Sequence, residues 1–256
     1  MEQINIGTML PGAQQFNDDN VNPTWKAHIY THEDTIVGFV KLIDLRKIYV
    51  ECICAVIGRD LGLPIPKPIL VKIPHESLPN YVPEQSFSLG FASQDAEHPS
   101  FRRYFNKDSK EAIESLMNFS KSLDIAIFDE WIGNWDRNIG NILYDGNNEY
   151  FFIDHENAID KDLSTNLPAN RNQILEQLSV SLSEFEKFKA NRTGQTDIIP
   201  AYSGIKFSLL SEKTLGGLYL SDDEVVEVIV FLEERLNILN ELITTRWGFK
   251  QQELVL

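Results

Sequence analysis

Residues 134–154 gather side chains that could do chemistry together: Asn134, Asp136, Arg137, Asn138 and Asn141, and, after two short apolar stretches, Asp154. The stretches Asn141–Asp145 and Glu149–Asp154 have strand character and are separated by Gly146, Asn147 and Asn148, residues that tolerate the positive φ of a tight turn, so they read as a β-hairpin. If Gly146 and Asn147 form its loop, Asp145 faces Asn148. Counting back then sets Asn141 opposite Phe152 and Ile139 opposite Asp154, and a longer loop shifts this by a residue or two. Either way Asn141 and Asp154 finish side by side at the open end, with Asp136 in the loop just before. A carboxylate and an amide oxygen are hard ligands suited to Mg²⁺, leaving other octahedral positions for phosphate oxygens and water. The remaining carboxylate, Asp136, could orient a hydroxyl and accept its proton, the arrangement used in phosphoryl transfer with a D-x-x-x-x-N spacing. Arg137 could steady the loop or a phosphate. Each of these residue types is by itself an ordinary turn former. The chemical reading rests on the spacing, the strand, the turn and Ile153-Asp154 occurring together.

The elements that must carry this segment are readable on both sides of it. Thr35–Ile43 is a β-branched and apolar run of strand length with one cation, Lys41, inside it. Lys47–Leu61 has helical spacing, with Ile48, Cys52, Ala55 and Val56 on one stripe and Gly62 as its stop. The prolines at 64, 66 and 68 exclude helix, and Ile69–Ile73 resumes as a strand. Asp108–Trp131 reads as one long helix leading into the hairpin, Gln173–Ala190 as another, and Asn191–Gly217 as turn and loop. The capping box Ser221–Glu224 opens a final helix carrying Val225, Val228, Ile229, Leu232, Leu236, Leu239 and Leu242.

Composition narrows the partners. A chain of 256 residues can bury a core as one large domain or two small lobes sharing a cleft. A net charge of −15 argues against nucleic acid, whose recognition needs clustered Lys and Arg, and means that a phosphate site must be built from local cations and backbone N–H groups. No apolar run approaches a bilayer span, and Met1–Asn5 shows no basic start to a leader, so the expectation is a cytoplasmic protein without membrane insertion. Cys52 and Cys54, two apart on a helix, point to different faces and read as core packing rather than as a disulfide or zinc pair.

Asn134-x-Asp136-Arg-Asn-x-Gly-Asn141 together with Ile153-Asp154-His155 resembles the catalytic and metal-binding segments of HipA-like kinases, relatives of the phosphatidylinositol kinases within the protein-kinase-like fold. Lys41, in Gly38-Phe-Val-Lys-Leu, resembles that family's ATP-binding strand lysine, Glu51 matches the helix glutamate that pairs with it, and Leu61–Pro66 resembles the turn to the next strand. The likeness covers about residues 22 to 160. It implies an α+β, two-lobed protein-kinase-like fold, with a small β-rich N-lobe over residues 1–83 and a mainly helical C-lobe over 84–256. It further implies an ATP- and Mg²⁺-dependent kinase acting on a hydroxyl, with a protein Ser or Thr as the expected acceptor. In that reading Asp136, Asn141 and Arg137 are catalytic, Lys41, Glu51 and Asp154 bind the nucleotide, and Asn141 and Asp154 hold the metal. The sequence departs from the wider kinase pattern in three places. No G-x-G-x-x-G precedes Lys41, leaving Gly12 and Asn17–Asn22 as the candidate phosphate-covering loop; His155-Glu156 follows Asp154 where many kinases have Phe-Gly; and Asn138 replaces a common histidine. A catalytically silent nucleotide-binding module and a metal-dependent phosphohydrolase using Asp136 and Asp154 remain as alternatives.

Overall fold

The computed structural model describes residues 1–16 and 22–249, so most of the candidate loop at Asn17–Asn22 lies outside the described residues. The N-terminal part is a six-stranded sheet: β1 (Asn5–Met9), β2 (Gln14–Gln15), β3 (Thr24–Thr31), β4 (Thr35–Lys41), β5 (Pro68–Pro74) and β6 (Phe87–Gln94), in the order β1-β5-β6-β4-β3-β2. Because β1 pairs with β3 as well as β5, the sheet closes on itself, and Met9, Trp25, Ile29, Val40, Ile69 and Ile73 pack inside it. Strand β6, beyond the expected N-lobe boundary at residue 83, pairs with both β4 and β5 and is integral to this sheet.

Helix α1 (Leu45–Asp60) is capped by Asp44, whose carboxylate accepts from the backbone N–H of Lys47. The expected single stripe understates its burial. Ile48, Cys52 and Val56 face the sheet, while Tyr49, Ile53, Cys54 and Ile57 face the C-terminal core. A helix apolar on two faces is what a position between two layers requires. Both cysteines are free and buried.

The C-terminal part is helical. The long helix expected over Asp108–Trp131 is instead three: α2 (Arg102–Lys107), α3 (Ser109–Asn118) and α4 (Ser122–Ile132). Phe119 leaves the helical conformation at φ −65°, ψ 131°, and its ring reaches Tyr150 at 4.8 Å and Phe152 at 6.4 Å, so the break lets an aromatic residue pack on the hairpin. The helix expected over Gln173–Ala190 is likewise two, α5 (Gln173–Ser181) and α6 (Glu184–Thr193), divided where Ser183 and Glu186 form a capping box. Residues 194–220 carry short helical turns that bury Tyr202 and Leu210. The final helix (Asp222–Arg246) opens on the Ser221–Glu224 capping box as expected. It fastens to α4 through Arg235, whose buried guanidinium donates to the carbonyls of Glu130 and Trp131. Among the described residues no helix is long and apolar enough to cross a membrane. The result is a mixed α+β protein, β-rich toward the N-terminus and helical toward the C-terminus.

Candidate active site

Helix α4 stops at Gly133, whose φ of +67° turns the chain sharply into the segment 134–141. A Cβ there would also collide with Leu163. From that turn the loop is fixed by its own side chains. Asn134 donates to Asp129 at 3.0 Å and accepts the Asp136 N–H at 3.3 Å, while the Asp136 carbonyl accepts from the amides of Asn138 (3.1 Å) and Asn141 (3.0 Å). A short 3₁₀ turn (Ile139–Asn141) then feeds β7 (Ile142–Tyr144), which pairs with β8 (Tyr150–Phe152).

The hairpin register corrects one expectation. Asp145 faces Glu149 across a three-residue loop, Gly146 and Asn148 both have positive φ, and Asp145 Oδ1 accepts from the N–H groups of Asn147 and Glu149. The longer loop moves the pairing by one residue, so Asn141 lies opposite Ile153, whose N–H donates to its carbonyl at 3.0 Å. Asn141 and Asp154 still come to the same place and line one polar cavity.

Asp154 has a φ of +65°, the left-handed region that asparagine and aspartate enter more readily than other side chains. There the chain turns out of β8, and both Asp154 and Glu156 reach Lys41 at the end of β4. Lys41 Nζ lies 2.8 Å from Glu51 Oε1, 2.7 Å from Asp154 Oδ1 and 3.2 Å from Glu156 Oε2. The other Glu51 oxygen accepts the His155 N–H at 3.0 Å. One buried glutamate on α1 therefore holds both the strand lysine and the turn that carries Asp154.

The charges explain one another. Burial alone would lower the Lys41 ammonium, but the carboxylates of Glu51, Asp154 and Glu156 outweigh it and hold it above its ordinary value. Burial would likewise raise Glu51, yet Lys41 and the His155 hydrogen bond hold it below the usual carboxylate range. Burial raises Glu156. A carboxylate depressed in the folded state contributes stability that is present at neutral pH and lost as pH falls below the ordinary carboxylate range. Glu51→Gln is therefore expected to flatten the acid-side fall of the denaturation midpoint relative to the parent. Chemical denaturation at a series of pH values from neutral to acid measures this, and an unchanged acid slope would contradict it.

Arg137 is buried and makes four hydrogen bonds: Nε and Nη2 to the Asp129 carboxylate at 3.0 and 2.9 Å, and Nη1 to the carbonyls of Asn141 (3.2 Å) and Ile153 (2.6 Å). Of the two roles considered for it, steadying the loop is the one this geometry supplies, because its donors point into the protein. Sequence reasoning did not single out its partner Asp129, nor Lys47 and Asn157. Lys47 Nζ bonds Asn157 Oδ1 (3.1 Å) and Glu156 Oε1 (3.3 Å), and Asn157 Nδ2 donates to Asp136 Oδ2 at 2.9 Å. Lys47 stands one helical turn before Glu51, a spacing that puts both on one face of α1 and could have flagged it.

These residues line a polar cavity of about 230 Å³ that includes Lys41, Lys47, Asp136, Asn141, Asp154 and Asn157. It opens into a larger, partly apolar cleft of about 670 Å³ walled by Val37, Phe39, Ile65, Phe91, Leu143 and Ile153. A partly apolar cleft of that size running into a charged pocket suits a ligand with an apolar body and an anionic tail. The donor set fits a magnesium ion in type: Asn141 and Asp154, which line the same cavity, offer oxygens of the hard kind.

Comparison with known proteins bears on the fold and on the family. Among solved structures the chain is similar to the Helicobacter pylori proinflammatory kinase CtkA, at 13% sequence identity with a TM-score of 0.55 over 98% of each chain, a likeness that speaks to the fold. No curated protein matches the chain. A family model described as HipA-like kinase matches residues 25–179, which contain Lys41, Glu51, Asp136, Asn141 and Asp154. That match spans more than half of the 256 residues, and the chain accordingly belongs to the HipA-like kinase family and is a phosphotransferase.

Proposed function

We propose that the chain transfers the γ-phosphoryl group of ATP, with Mg²⁺, to a hydroxyl, and that the acceptor is a Ser or Thr of a protein. In this reading the molecule has two lobes, the closed sheet with α1 and the helical remainder. The dividing line falls after β6 rather than at residue 83, since β6 hydrogen-bonds to its neighbours in the sheet. ATP occupies the cleft between them. The observation that carries the proposal is the position of Lys41 Nζ, which bonds Glu51 and Asp154 at the junction of the apolar cleft and the polar cavity holding Asp136.

Each residue then has a task that follows from its surroundings. Lys41, kept charged by its carboxylate neighbours, offers an ammonium to the α- and β-phosphates. Asn141 and Asp154 would hold the metal, which when bound supplies charge neutralisation to the phosphate oxygens. Asp136, on a loop braced by Asn134 and Asn141, orients the acceptor hydroxyl and takes its proton. The oxygen–phosphorus bond to the acceptor forms as the bond to the β-phosphate bridging oxygen breaks, and ADP leaves. Lys41 and Lys47 bring cations to this cavity in a protein whose overall charge is negative.

The test is incubation of the purified chain with γ-labelled ATP and Mg²⁺. Label is expected to move to the protein itself or to an added protein acceptor, and Lys41→Met is expected to lower that rate by about 10²-fold or more. Steady release of inorganic phosphate without an acceptor, unaffected by Lys41→Met, would identify a phosphohydrolase instead. Bound ATP with no transfer would identify a silent module.

A further inference from the structure

We propose that Asn157 and Lys47 are positioning residues that set the plane of the Asp136 carboxylate, an inference that rests on the kinase reading above. The loop bonds that brace Asp136 act on its backbone: Asn134 accepts its N–H, and Asn138 and Asn141 donate to its carbonyl. They leave the carboxylate torsion open, and that torsion is broad for aspartate. The carboxylate is held by a residue from another segment, Asn157, whose Nδ2 donates to Oδ2 at 2.9 Å.

An asparagine amide could turn over and present its oxygen instead. Lys47 decides the matter. Its ammonium, a donor only, lies 3.1 Å from the far end of the same amide, so that end must be the oxygen and the near end the NH₂. Reversing the amide would set NH₂ against an ammonium and a carbonyl oxygen against a carboxylate, two repulsions for two attractions. Lys47 is itself oriented by Glu156 Oε1 at 3.3 Å. A chain of contacts therefore runs from α1 through Lys47 and Asn157 to Asp136, while one turn along the same helix Glu51 holds Lys41. The face of a single helix governs both the lysine that meets the nucleotide and the carboxylate that meets the acceptor. Displacing α1 would disturb both at once.

The experiment is a double-mutant cycle with Asn157→Ala, Lys47→Met and both together, reading kcat and KM with γ-labelled ATP, nucleotide Kd by calorimetry and the thermal midpoint. Asn157→Ala is expected to lower kcat on the order of 10- to 100-fold, with Kd and midpoint close to the parent's. Lys47→Met is expected to give a smaller loss, Lys47→Arg to recover much of it, and the double variant to be no worse than Asn157→Ala alone, because the lysine acts through the amide. Parental kcat in Asn157→Ala, or losses that multiply in the double variant, would overturn the inference. So would a Lys47→Met variant with parental kcat and weakened Kd, which would make Lys47 a phosphate ligand. Should Asn157→Ala not fold, Lys47→Met, on a part-exposed side chain, carries the test alone. If the parent itself moves no label from ATP, the kinase reading fails and this inference with it; if the parent is active and Asn157→Ala equally so, only the inference fails.

Discussion

Asp136→Ala is expected to lower phosphoryl transfer by about 10³-fold, equivalent to about 4 kcal/mol of transition-state stabilisation, while ATP binds in the presence of Mg²⁺ nearly as well as to the parent. The asymmetry follows from where the side chain sits. The Asp136 carboxylate bonds Asn157 and makes no bond to Lys41, whose partners are Glu51, Asp154 and Glu156. Its backbone carbonyl, which alanine retains, is what holds Asn138 and Asn141. On the proposed reading, removing the carboxylate takes away the proton acceptor for the hydroxyl and leaves the contacts of Lys41 standing.

Asp154→Ala should behave in the opposite sense. It removes a hard oxygen beside Lys41, so calorimetry is expected to show that Mg²⁺ no longer tightens nucleotide binding. Lys41 keeps Glu51 and Glu156 and remains paired, so the variant should fold. Equal losses of binding in the two variants would contradict the division of roles between these carboxylates.

How much of this was legible beforehand depended on whether the signal was local. The hairpin could be read because Gly146 and Asn147 are turn residues, and the final helix because Ser221 and Glu224 form a capping box, interactions that span three residues. Lys41 and Asp154 were found through their spacing and resemblance, and the fold brings them to 2.7 Å. What failed to show was long-range. Strands β1 and β6 give weak patterns, and the pairings of β1 with β5 and of β6 with β4 join segments far apart along the chain. The break at Phe119 is favoured by aromatic packing on Tyr150, an energy that helical periodicity over Asp108–Trp131 does not contain. Asn157 looks like any loop asparagine until the fold sets it against Asp136. Asp129 reads as one more polar residue near a helix end until Arg137 returns to it.

That Asp129–Arg137 pair carries the largest expected effect on stability. Both side chains are almost wholly buried, and the contact is bidentate. Arg137→Met would leave the Asp129 carboxylate in the core with the amide of Asn134 as its remaining hydrogen-bond donor, a situation that typically costs about 3–5 kcal/mol. In a chain of this size such a loss lowers the melting midpoint on the order of 10 °C, measurable by scanning calorimetry. Arg137→Lys should recover only part of it, since an ammonium cannot reproduce the planar fork. Asp129→Leu combined with Arg137→Met should be closer to the parent than Arg137→Met alone, because no unpaired charge remains. The double variant separates stability from activity. Nη1 of Arg137 joins the carbonyls of Asn141 and Ile153, the two residues facing each other where the hairpin opens. A refolded, charge-free core without that bridge is expected to bind nucleotide and yet transfer slowly, since the Ile153 N–H to Asn141 carbonyl bond then holds the open end of the hairpin without the guanidinium beside it. A double variant that regains both the midpoint and the parental rate would show that Arg137 serves the core alone.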